Sequence, residues 1–252
     1  ITKIEKRKNY IIRKSVNLSK QTHIIASNID YCFLFVTPSN PNTSTLFIDR
    51  VLLSAKSFGI ETIILFNKLD IYSKEDIEYI DELFNAYTKI GYQCLKISVK
   101  KRVNIDKVEK FMNKNVSVFT GHSGVGKTSL MNVLDSKLNL KTSEISKQNK
   151  QGQHTTTFAE MFDLNNGAKI IDSPGIKGFG LIDIEKSEIG GFFPEIAGLS
   201  SDCKFNNCLH FNEPNCAIKK ALENNQISNF RYNNYLSLLN NDEDNFRTNS
   251  FK

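Results

Sequence analysis

The sequence predicts an α/β fold with a mostly parallel sheet, followed by a smaller helical domain that binds metal. Three observations support this fold class. Strand-like and helix-like segments alternate from about residue 30 to residue 180, a glycine-rich loop joins one such strand to one such helix, and three cysteines and a histidine cluster after residue 200. Segments that alternate in this way typically build a parallel sheet with helices on both faces.

The strands of this sheet are predicted from short apolar runs. They are Tyr31–Val36, Thr62–Phe66, Tyr92–Ser98, Val116–Thr120, Phe158–Leu164 and Ala168–Asp172. Helical patterns lie between the first four strands, at Thr45–Phe58, Lys74–Lys89 and Asn104–Asn113. The last two strands are separated only by Asn165-Asn166-Gly167, a tight-turn sequence, so we expect them to form a hairpin at a sheet edge.

The two ends of the chain depart from this alternation. Residues 8–15, "KNYIIRKS", read as one strand of a separate unit, and "AIKKALENNQIS" and "FRYNNYLSLL" read as helices after the cysteine cluster. We therefore predict an α/β domain at residues 28–185 and a helical domain at residues 186–252, with residues 1–27 outside both.

Composition indicates a globular protein that does not enter a membrane. Of the 252 residues, 40% are hydrophobic and 24% are charged, and the apolar runs are far shorter than the ~20 residues that span a bilayer. The first residues carry charge but no apolar signal segment, so we expect a cytoplasmic protein. Cys32 and Cys94 lie in apolar strands and should be buried.

The net charge of +6 is a weak indication of an anionic partner. Six basic residues fall within the first fourteen, and they form either a solvated surface or a patch that faces RNA. They are Lys3, Lys6, Arg7, Lys8, Arg13 and Lys14.

The glycine-rich loop predicts a nucleotide site. It reads Gly121-His122-Ser123-Gly124-Val125-Gly126-Lys127-Thr128, with Ser129 after it, and it matches the phosphate-binding loop (P-loop) pattern. Backbone N–H groups of such a loop curl around phosphates, the lysine reaches the terminal phosphates, and the threonine hydroxyl ligates Mg²⁺. The strand "VSVFT" before the loop and the helix "TSLMNVL" after it supply the expected context.

Two later segments fit the same site. Asp172-Ser173-Pro174-Gly175 ends the hairpin, where Asp172 can hold the Mg²⁺ hydration shell and Gly175 can donate its N–H to a γ-phosphate. Between hairpin and P-loop lies "GQHTTT", in which Thr155 or Thr156 can complete the Mg²⁺ shell as part of a nucleotide-dependent switch. The alternative is a plain polar loop.

A third segment predicts that the base is guanine. Asn67-Lys68-Leu69-Asp70 follows the strand "TIILF", and a carboxylate at Asp70 can accept hydrogen bonds from the N1–H and N2–H₂ groups of guanine. Adenine has neither donor, so bound ATP would leave a buried carboxylate unpaired. We expect Lys68 to pack along the base and Asn67 to join this loop to the P-loop. Ser98-Val99-Lys100 fits the weaker motif whose backbone contacts the guanine O6.

The motifs therefore follow one another in the order base loop (residues 67–70), second base loop (98–100), P-loop (121–128), first switch (152–157) and second switch (172–175). In the usual GTPase order the P-loop comes first. Strand neighbours are set by packing, so a circularly permuted chain can build the same site.

The motifs in this order, with the cysteine cluster after them, resemble the ribosome small-subunit-dependent GTPase A (RsgA) family. The resemblance covers nearly the whole chain and includes "FNKLD", "TGHSGVGKTSLMN", "QHTTT", "DSPGI", "FPEI" and "DCKFNNCLHFNEPNCAIKKAL". It implies an OB barrel, a circularly permuted P-loop GTPase domain and a C-terminal helical zinc-binding domain. It also implies GTP hydrolysis, with GDP as product, during late maturation of the small (30S) ribosomal subunit.

The cysteine cluster fits the zinc pattern of that family. Cys203, Cys208, His210 and Cys216 lie within fourteen residues, and three thiolates with one imidazole make a closed structural zinc site. In a cytosolic chain such spacing suggests metal rather than disulfides. The alternative is a set of unrelated cysteines.

Two features depart from the family. Five barrel strands cannot fit into 27 residues, so residues 1–27 are expected to be a remnant of the OB barrel. The residue before His154 is Gln153, where the family usually has arginine.

The catalytic group is predicted from the residue at the second switch. Ile176 stands where Ras-like enzymes place the glutamine that orients water, so hydrolysis without a partner should be slow. We expect the catalytic residues to be His154, Lys127 and Thr156, with His154 positioning water; alternatively, His154 contacts only RNA or solvent.

Three functions remain open from the sequence. The first is a small-subunit assembly GTPase, a monomer that contacts ribosomal RNA and possibly ribosomal proteins. The second is a large-subunit assembly GTPase, and the third is a nucleotide-gated RNA-binding module with negligible turnover.

Overall fold

The computed structural model describes residues 2–14, 22–141, 160–172 and 184–240. In chain order the strands are β1 (Tyr10–Lys14), β2 (Thr22–Ser27), β3 (Tyr31–Val36), β4 (Glu61–Phe66), β5 (Gln93–Lys96), β6 (Val116–Thr120), β7 (Glu160–Asp163) and β8 (Lys169–Asp172). The α-helices are α1 (Thr45–Ser57), α2 (Lys74–Lys89), α3 (Ile105–Met112), α4 (Lys127–Leu134), α5 (Lys186–Ile189), α6 (Pro194–Ala197), α7 (Ala217–Glu223) and α8 (Asn229–Leu239). Short 3₁₀ turns lie at Ser136–Leu138, Gly190–Phe192 and Ser200–Asp202.

Six strands form one sheet in the order β5-β4-β3-β6-β8-β7. All neighbours are parallel except β7 and β8, which pair antiparallel at the edge, so the predicted hairpin is confirmed. Because the strands are parallel, β3, β4, β5, β6 and β8 end at the same edge, and the loops that follow them meet there.

The chain separates into two compact units. The first unit holds residues 1–43 and 58–180, and therefore contains the whole sheet. Its core is apolar, and the rings of Phe33 and Phe35 lie 5.6 and 5.3 Å from the ring of Phe119. Cys32 is fully buried as expected, whereas Cys94 is only partly buried because β5 is an edge strand.

An antiparallel pair, β1–β2, precedes the main sheet in the first unit. The predicted strand at residues 8–15 is confirmed as β1, but its partner β2 was not predicted. Asn9 fixes this pair to the start of β3, since its side chain donates to the Ile29 carbonyl (2.7 Å) and accepts from the Ile29 N–H (2.8 Å). The assignment of residues 1–27 to a remnant of an OB barrel stays a prediction.

The second unit holds residues 44–57 and 181–252, so helix α1 belongs with the helices after residue 184. Its core joins Leu53 of α1 to apolar side chains such as Phe193 and Tyr235, whose rings lie 5.5 Å apart. Arg231 of α8 forms ion pairs with Asp49 of α1 and with Glu195 of α6, and all three side chains are less than 10% exposed.

Helix bounds agree closely with the prediction where the sequence carries a cap. Helix α2 begins and ends as predicted, and Ser73 and Asp76 form a capping box that stabilises its start. Within the described ranges, no helix has the length and apolar content needed to cross a membrane.

Candidate nucleotide site and metal cluster

The P-loop joins β6 to α4, and its backbone requires glycine. Gly121, Gly124 and Gly126 have φ of +141°, +82° and +105°. A Cβ at Gly121 would lie 2.8 Å from the Phe35 carbonyl oxygen, and a Cβ at Gly126 would overlap the side-chain amide of Asn67. The loop is thus packed against neighbouring strands so closely that larger residues are excluded.

Lys127 lies within the P-loop at the first turn of α4. Its Nζ donates hydrogen bonds to the carbonyl oxygens of Gly121 (2.7 Å) and His122 (2.9 Å). Burial lowers the pKa of Lys127, and the nearby Asp172 opposes that shift. Burial likewise raises the pKa of Asp172, which Lys127 opposes. These two groups therefore form a partly desolvated pair of opposite charge beside the loop that is predicted to hold phosphates.

Asn67 joins the three loops of the site. Its Nδ2 donates to the Val125 carbonyl in the P-loop (2.8 Å), and its Oδ1 accepts from the Val99 N–H in the second base loop (3.2 Å). The side chain is buried, and the Asn67 N–H donates to Val36 at the end of β3. The predicted connection between the base loop and the P-loop is thus present, and it extends to Val99.

Asp70 is held by the second base loop. The Ser98 hydroxyl donates to its Oδ1 (2.5 Å) and accepts from the Lys101 N–H (3.1 Å). Lys68 has φ of +71°, and its Nζ donates to the Asn40 carbonyl (2.6 Å). One carboxylate oxygen of Asp70 is therefore fixed by Ser98, which leaves the other to accept from a ligand.

A cavity of about 480 Å³ lies among these loops. Its lining residues are Asn67, Lys68, Asp70, Ile71, Val99, Lys100, Arg102, Gly126, Ser129 and Val133. Most come from the predicted nucleotide motifs. Ile71, Arg102 and Val133 were not predicted, because only the folded arrangement brings them to the cavity; the place of Ile71, directly after the base motif, was the one available signal.

The remaining predicted residues are distributed as follows. Thr128 and Ser129 occupy the first turn of α4, and Asp172 ends β8 beside β6. His154, Thr155, Thr156 and Gly175 lie outside the described residues, as do Gln153 and Ile176.

The cysteine cluster of the second unit is assembled as predicted. Ligand atoms of Cys203, Cys208, His210 and Cys216 all lie within 4.8 Å of one another. The Cys203 and Cys216 sulfurs are 3.9 Å apart, and each is 3.5 Å from His210 Nδ1. Tetrahedral zinc with bonds of about 2.3 Å to sulfur and about 2.0 Å to nitrogen would separate these atoms by about 3.8 and about 3.5 Å. The residues therefore fit a four-coordinate metal ion.

The pKa values of two of the four groups are shifted by their surroundings. Burial lowers the pKa of His210, which keeps the imidazole neutral, the form that ligates metals. Burial raises the pKa of the Cys208 thiol, and the Cys216 and Cys203 sulfurs raise it further. A divalent cation reverses this effect by stabilising thiolates.

Hydrogen bonds around the cluster hold its loops in place. Tyr232 and Tyr235 of α8 donate from their hydroxyls to the carbonyls of His210 and Leu209, both at 2.7 Å. The Glu213 carboxylate accepts from the N–H groups of Leu209 and Phe211, both at 2.8 Å. The ligand loop is thus fastened to α8 and to itself.

The family of the chain is settled by comparison with known sequences. The family described as RsgA GTPase matches residues 4–182, which is more than half of the chain. The chain belongs to the RsgA GTPase family. It is therefore a GTPase, and the family implies use of GTP, GDP and Mg²⁺.

Relatives of known name resemble nearly the whole chain. It is 56% identical over 250 residues to the small ribosomal subunit biogenesis GTPase RsgA of Flavobacterium psychrophilum, covering 98% of this chain and 76% of that protein. It is 54% identical over 252 residues to the protein of the same name from Christiangramia forsetii, covering all of this chain and 80% of that protein.

Solved structures carry the same fold. YjeQ from Thermotoga maritima matches with a TM-score of 0.77 and 30% identity over 95% of this chain and 77% of that one. YloQ, described as a circularly permuted GTPase, matches with a TM-score of 0.75 and 29% identity over 96% of this chain and 75% of that one. The predicted fold class and the permuted order of motifs in this RsgA family member are therefore confirmed.

Proposed function

We propose that this RsgA family member hydrolyses GTP during maturation of the small ribosomal subunit, and that the subunit stimulates hydrolysis. The observation that carries the proposal is the Asn67 network, which places the two base loops and the P-loop around one cavity. The names of relatives more than 50% identical over nearly the whole chain supply the biological process.

Guanine selectivity rests on Asp70 in this proposal. Its carboxylate accepts from guanine N1–H and N2–H₂ while Ser98 holds one of its oxygens. The stem of Lys68 packs along the base, and backbone groups of Val99 and Lys100 contact the O6 edge. The cavity beside these residues supports this placement.

The P-loop residues Gly121 to Ser129 bind the phosphates. Lys127 exchanges the Gly121 and His122 carbonyls for phosphate oxygens, and the Gly175 N–H donates to the γ-phosphate. Thr128, Thr155 and Thr156 would hold Mg²⁺ directly, and Asp172 would hold it through water. The ion would neutralise phosphate charge.

His154 positions the attacking water when the subunit is bound. The motivation is that Ile176 cannot perform this task, because its side chain has no hydrogen-bonding group. Intrinsic hydrolysis is accordingly slow, and His154→Ala abolishes stimulation while leaving GTP affinity unchanged.

Zinc is the metal of the Cys203 cluster and has a structural role. The four ligands leave no position for substrate, and their spacing matches tetrahedral zinc better than the six- to eight-coordinate oxygen sites of Mg²⁺ or Ca²⁺. We further propose that the protein acts as a cytoplasmic monomer that contacts ribosomal RNA and ribosomal proteins.

The test is GTP hydrolysis measured with and without purified small and large subunits. The proposal expects stimulation by small subunits alone and little hydrolysis of ATP. Stimulation by large subunits would favour the second function considered from the sequence. Binding without turnover under any condition would favour an RNA-binding module.

A further inference from the structure

We propose that a basic turn beside the nucleotide cavity binds RNA phosphates. The basic turn consists of Lys100, Lys101 and Arg102. The proposal rests on the proposed function, since it names a contact through which this GTPase holds its RNA partner. It concerns side chains that the nucleotide motifs do not explain.

The basic turn is a rigid feature rather than a loose loop. Ser98 and Val103 flank it and form an antiparallel bridge, with N–H to carbonyl distances of 3.3 and 3.0 Å. The Arg102 N–H donates to Val99 (3.3 Å), and the Lys101 N–H donates to the Ser98 hydroxyl (3.1 Å). Arg102 has φ of +55°, a conformation that side chains other than Gly, Asn and Asp seldom adopt. Little backbone entropy remains to be lost when a ligand binds.

The charges of the basic turn lack carboxylate partners. Lys100, Lys101 and Arg102 are exposed, and none has an ion pair with any residue in the described ranges. Two of the N-terminal cations differ, because Lys3 pairs with Glu5 and Lys8 pairs with Asp30. Three adjacent cations repel one another, and an anion that binds them removes that repulsion.

The chemistry of the basic turn favours RNA over a protein surface. Arginine forms two parallel hydrogen bonds to a phosphate, and lysine adds a point charge. Protein interfaces centre on buried aromatic or apolar anchors, and the turn carries no aromatic side chain. Phosphates also keep much of their hydration on binding, which suits an exposed turn.

The position of the basic turn connects it to the nucleotide. Lys100 and Arg102 line the guanine cavity, and Ser98 bonds both to Asp70 and to the Lys101 N–H. The Asp70 carboxylate, which is proposed to bind guanine, is therefore connected to the basic turn through the Ser98 hydroxyl. Lys101 does not line the cavity, so it can be changed without touching the pocket.

The experiment measures binding of the full chain to small ribosomal subunits, and separately to protein-free RNA from those subunits, across 50–200 mM KCl. The variants are Lys101→Ala, Lys101→Glu and the matched control Lys89→Ala. Lys89 is an exposed lysine at the end of α2, which runs back to the start of β5 and so away from the edge where the loops meet. All binding is done with a non-hydrolysable GTP analogue.

We expect the slope of log affinity against log salt concentration to be smaller by about one for Lys101→Ala than for wild type. Between 50 and 200 mM salt, the affinity of this variant therefore falls about 3.5-fold less than that of wild type. Lys101→Glu weakens binding further, and Lys89→Ala leaves it unchanged. Intrinsic GTP hydrolysis stays at the wild-type rate in all three. The same loss on protein-free RNA supports the proposal.

If wild type and both Lys101 variants bind equally, the basic turn is not an RNA contact. The proposed function would still stand in that case if small subunits stimulate GTP hydrolysis. A loss on intact subunits that is absent on protein-free RNA would also overturn it, in favour of an acidic ribosomal protein. Failure of the wild type to bind or respond to subunits would instead reject the proposed function.

Discussion

At the scale of single residues, the nucleotide site depends on side chains that hold loops together. The side-chain nitrogen of Asn67 donates to a backbone carbonyl and its oxygen accepts from a backbone N–H. The Ser98 hydroxyl both donates and accepts a hydrogen bond. Both side chains therefore connect one loop of the site to another. Their role is to fix Asp70 and the P-loop before nucleotide arrives, which lowers the entropy cost of binding.

Asp70→Asn should change the preferred base from guanine to xanthine. The Ser98 hydroxyl donates to one oxygen of Asp70, so the new amide keeps its oxygen there and directs its NH₂ to the base. Xanthine has a carbonyl at that position and accepts. We expect GTP affinity to fall about 100-fold or more and XTP affinity to rise. Nucleotide titration measures this, with exposed Asp106→Asn as the control; an unchanged GTP affinity would disprove the role of Asp70.

Gly126→Ala should disrupt the site through Asn67. The new methyl group would overlap the Asn67 amide, and φ of +105° strains any side chain there. Strain of about 1–3 kcal/mol predicts GTP binding weaker by about 5-fold to about 150-fold. Gly191→Ala is the matched control, because no atom lies within 4 Å of its added carbon. Equal GTP dissociation constants for the two variants would contradict the crowding argument.

At the scale of secondary-structure elements, the sequence predicted those helices and strands that are stabilised by interactions between residues close together in the chain. The capping box at Ser73 stabilises the start of α2, whose helical pattern was predicted, and the apolar runs marked β3, β4 and β6. Strand β2 was missed because its pairing with β1 is set by a partner elsewhere in the chain. The nucleotide motifs were found because each is contiguous, whereas Arg102 reaches the cavity only through the fold.

Loss of Arg231 should weaken the packing of α1 on α8. Removing Arg231 leaves Asp49 and Glu195 as buried carboxylates without their cation. We expect Arg231→Met to lower the free energy of unfolding of the second unit by about 3–5 kcal/mol. Urea unfolding of the full chain, with metal present, measures the loss.

A surface ion pair provides the control for that measurement. Lys74 and Glu78 lie 3.8 Å apart on the exposed face of α2, and such pairs contribute less than about 1 kcal/mol. Lys74→Ala should therefore unfold almost as wild type does. If Arg231→Met also unfolds within about 1 kcal/mol of wild type, the network does not hold α1.

At the scale of the whole molecule, two units carry two kinds of chemistry. The first unit contains the sheet and the nucleotide cavity, and the second contains the metal cluster and α1. Sequence periodicity identified α1 as a helix but not its partner, since apolar faces do not specify what covers them. The domain bounds predicted from the sequence therefore stay a prediction.

Metal removal should unfold one unit and spare the other. The cluster fastens the ligand loop to α8 through Tyr232 and Tyr235, so a chelator should expose the backbone amides of residues 184–240. Guanine nucleotide affinity in the first unit should persist. Hydrogen exchange with and without chelator measures both, and metal analysis should find one ion per chain, lost in Cys208→Ser. Full protection of α8 after metal loss would refute a structural role.

The position of helix α1 in the sequence also affects folding during translation. Asp49 and Arg231 are 182 residues apart in sequence, although they pair in the folded second unit. At about 5–20 residues per second, Asp49 is synthesised about 9–36 s before Arg231. Until then, Leu46 and Leu53 of α1 lack the apolar side chains of the second unit against which they pack. A nascent chain of this protein therefore exposes apolar side chains of α1 that its own C-terminal residues later cover.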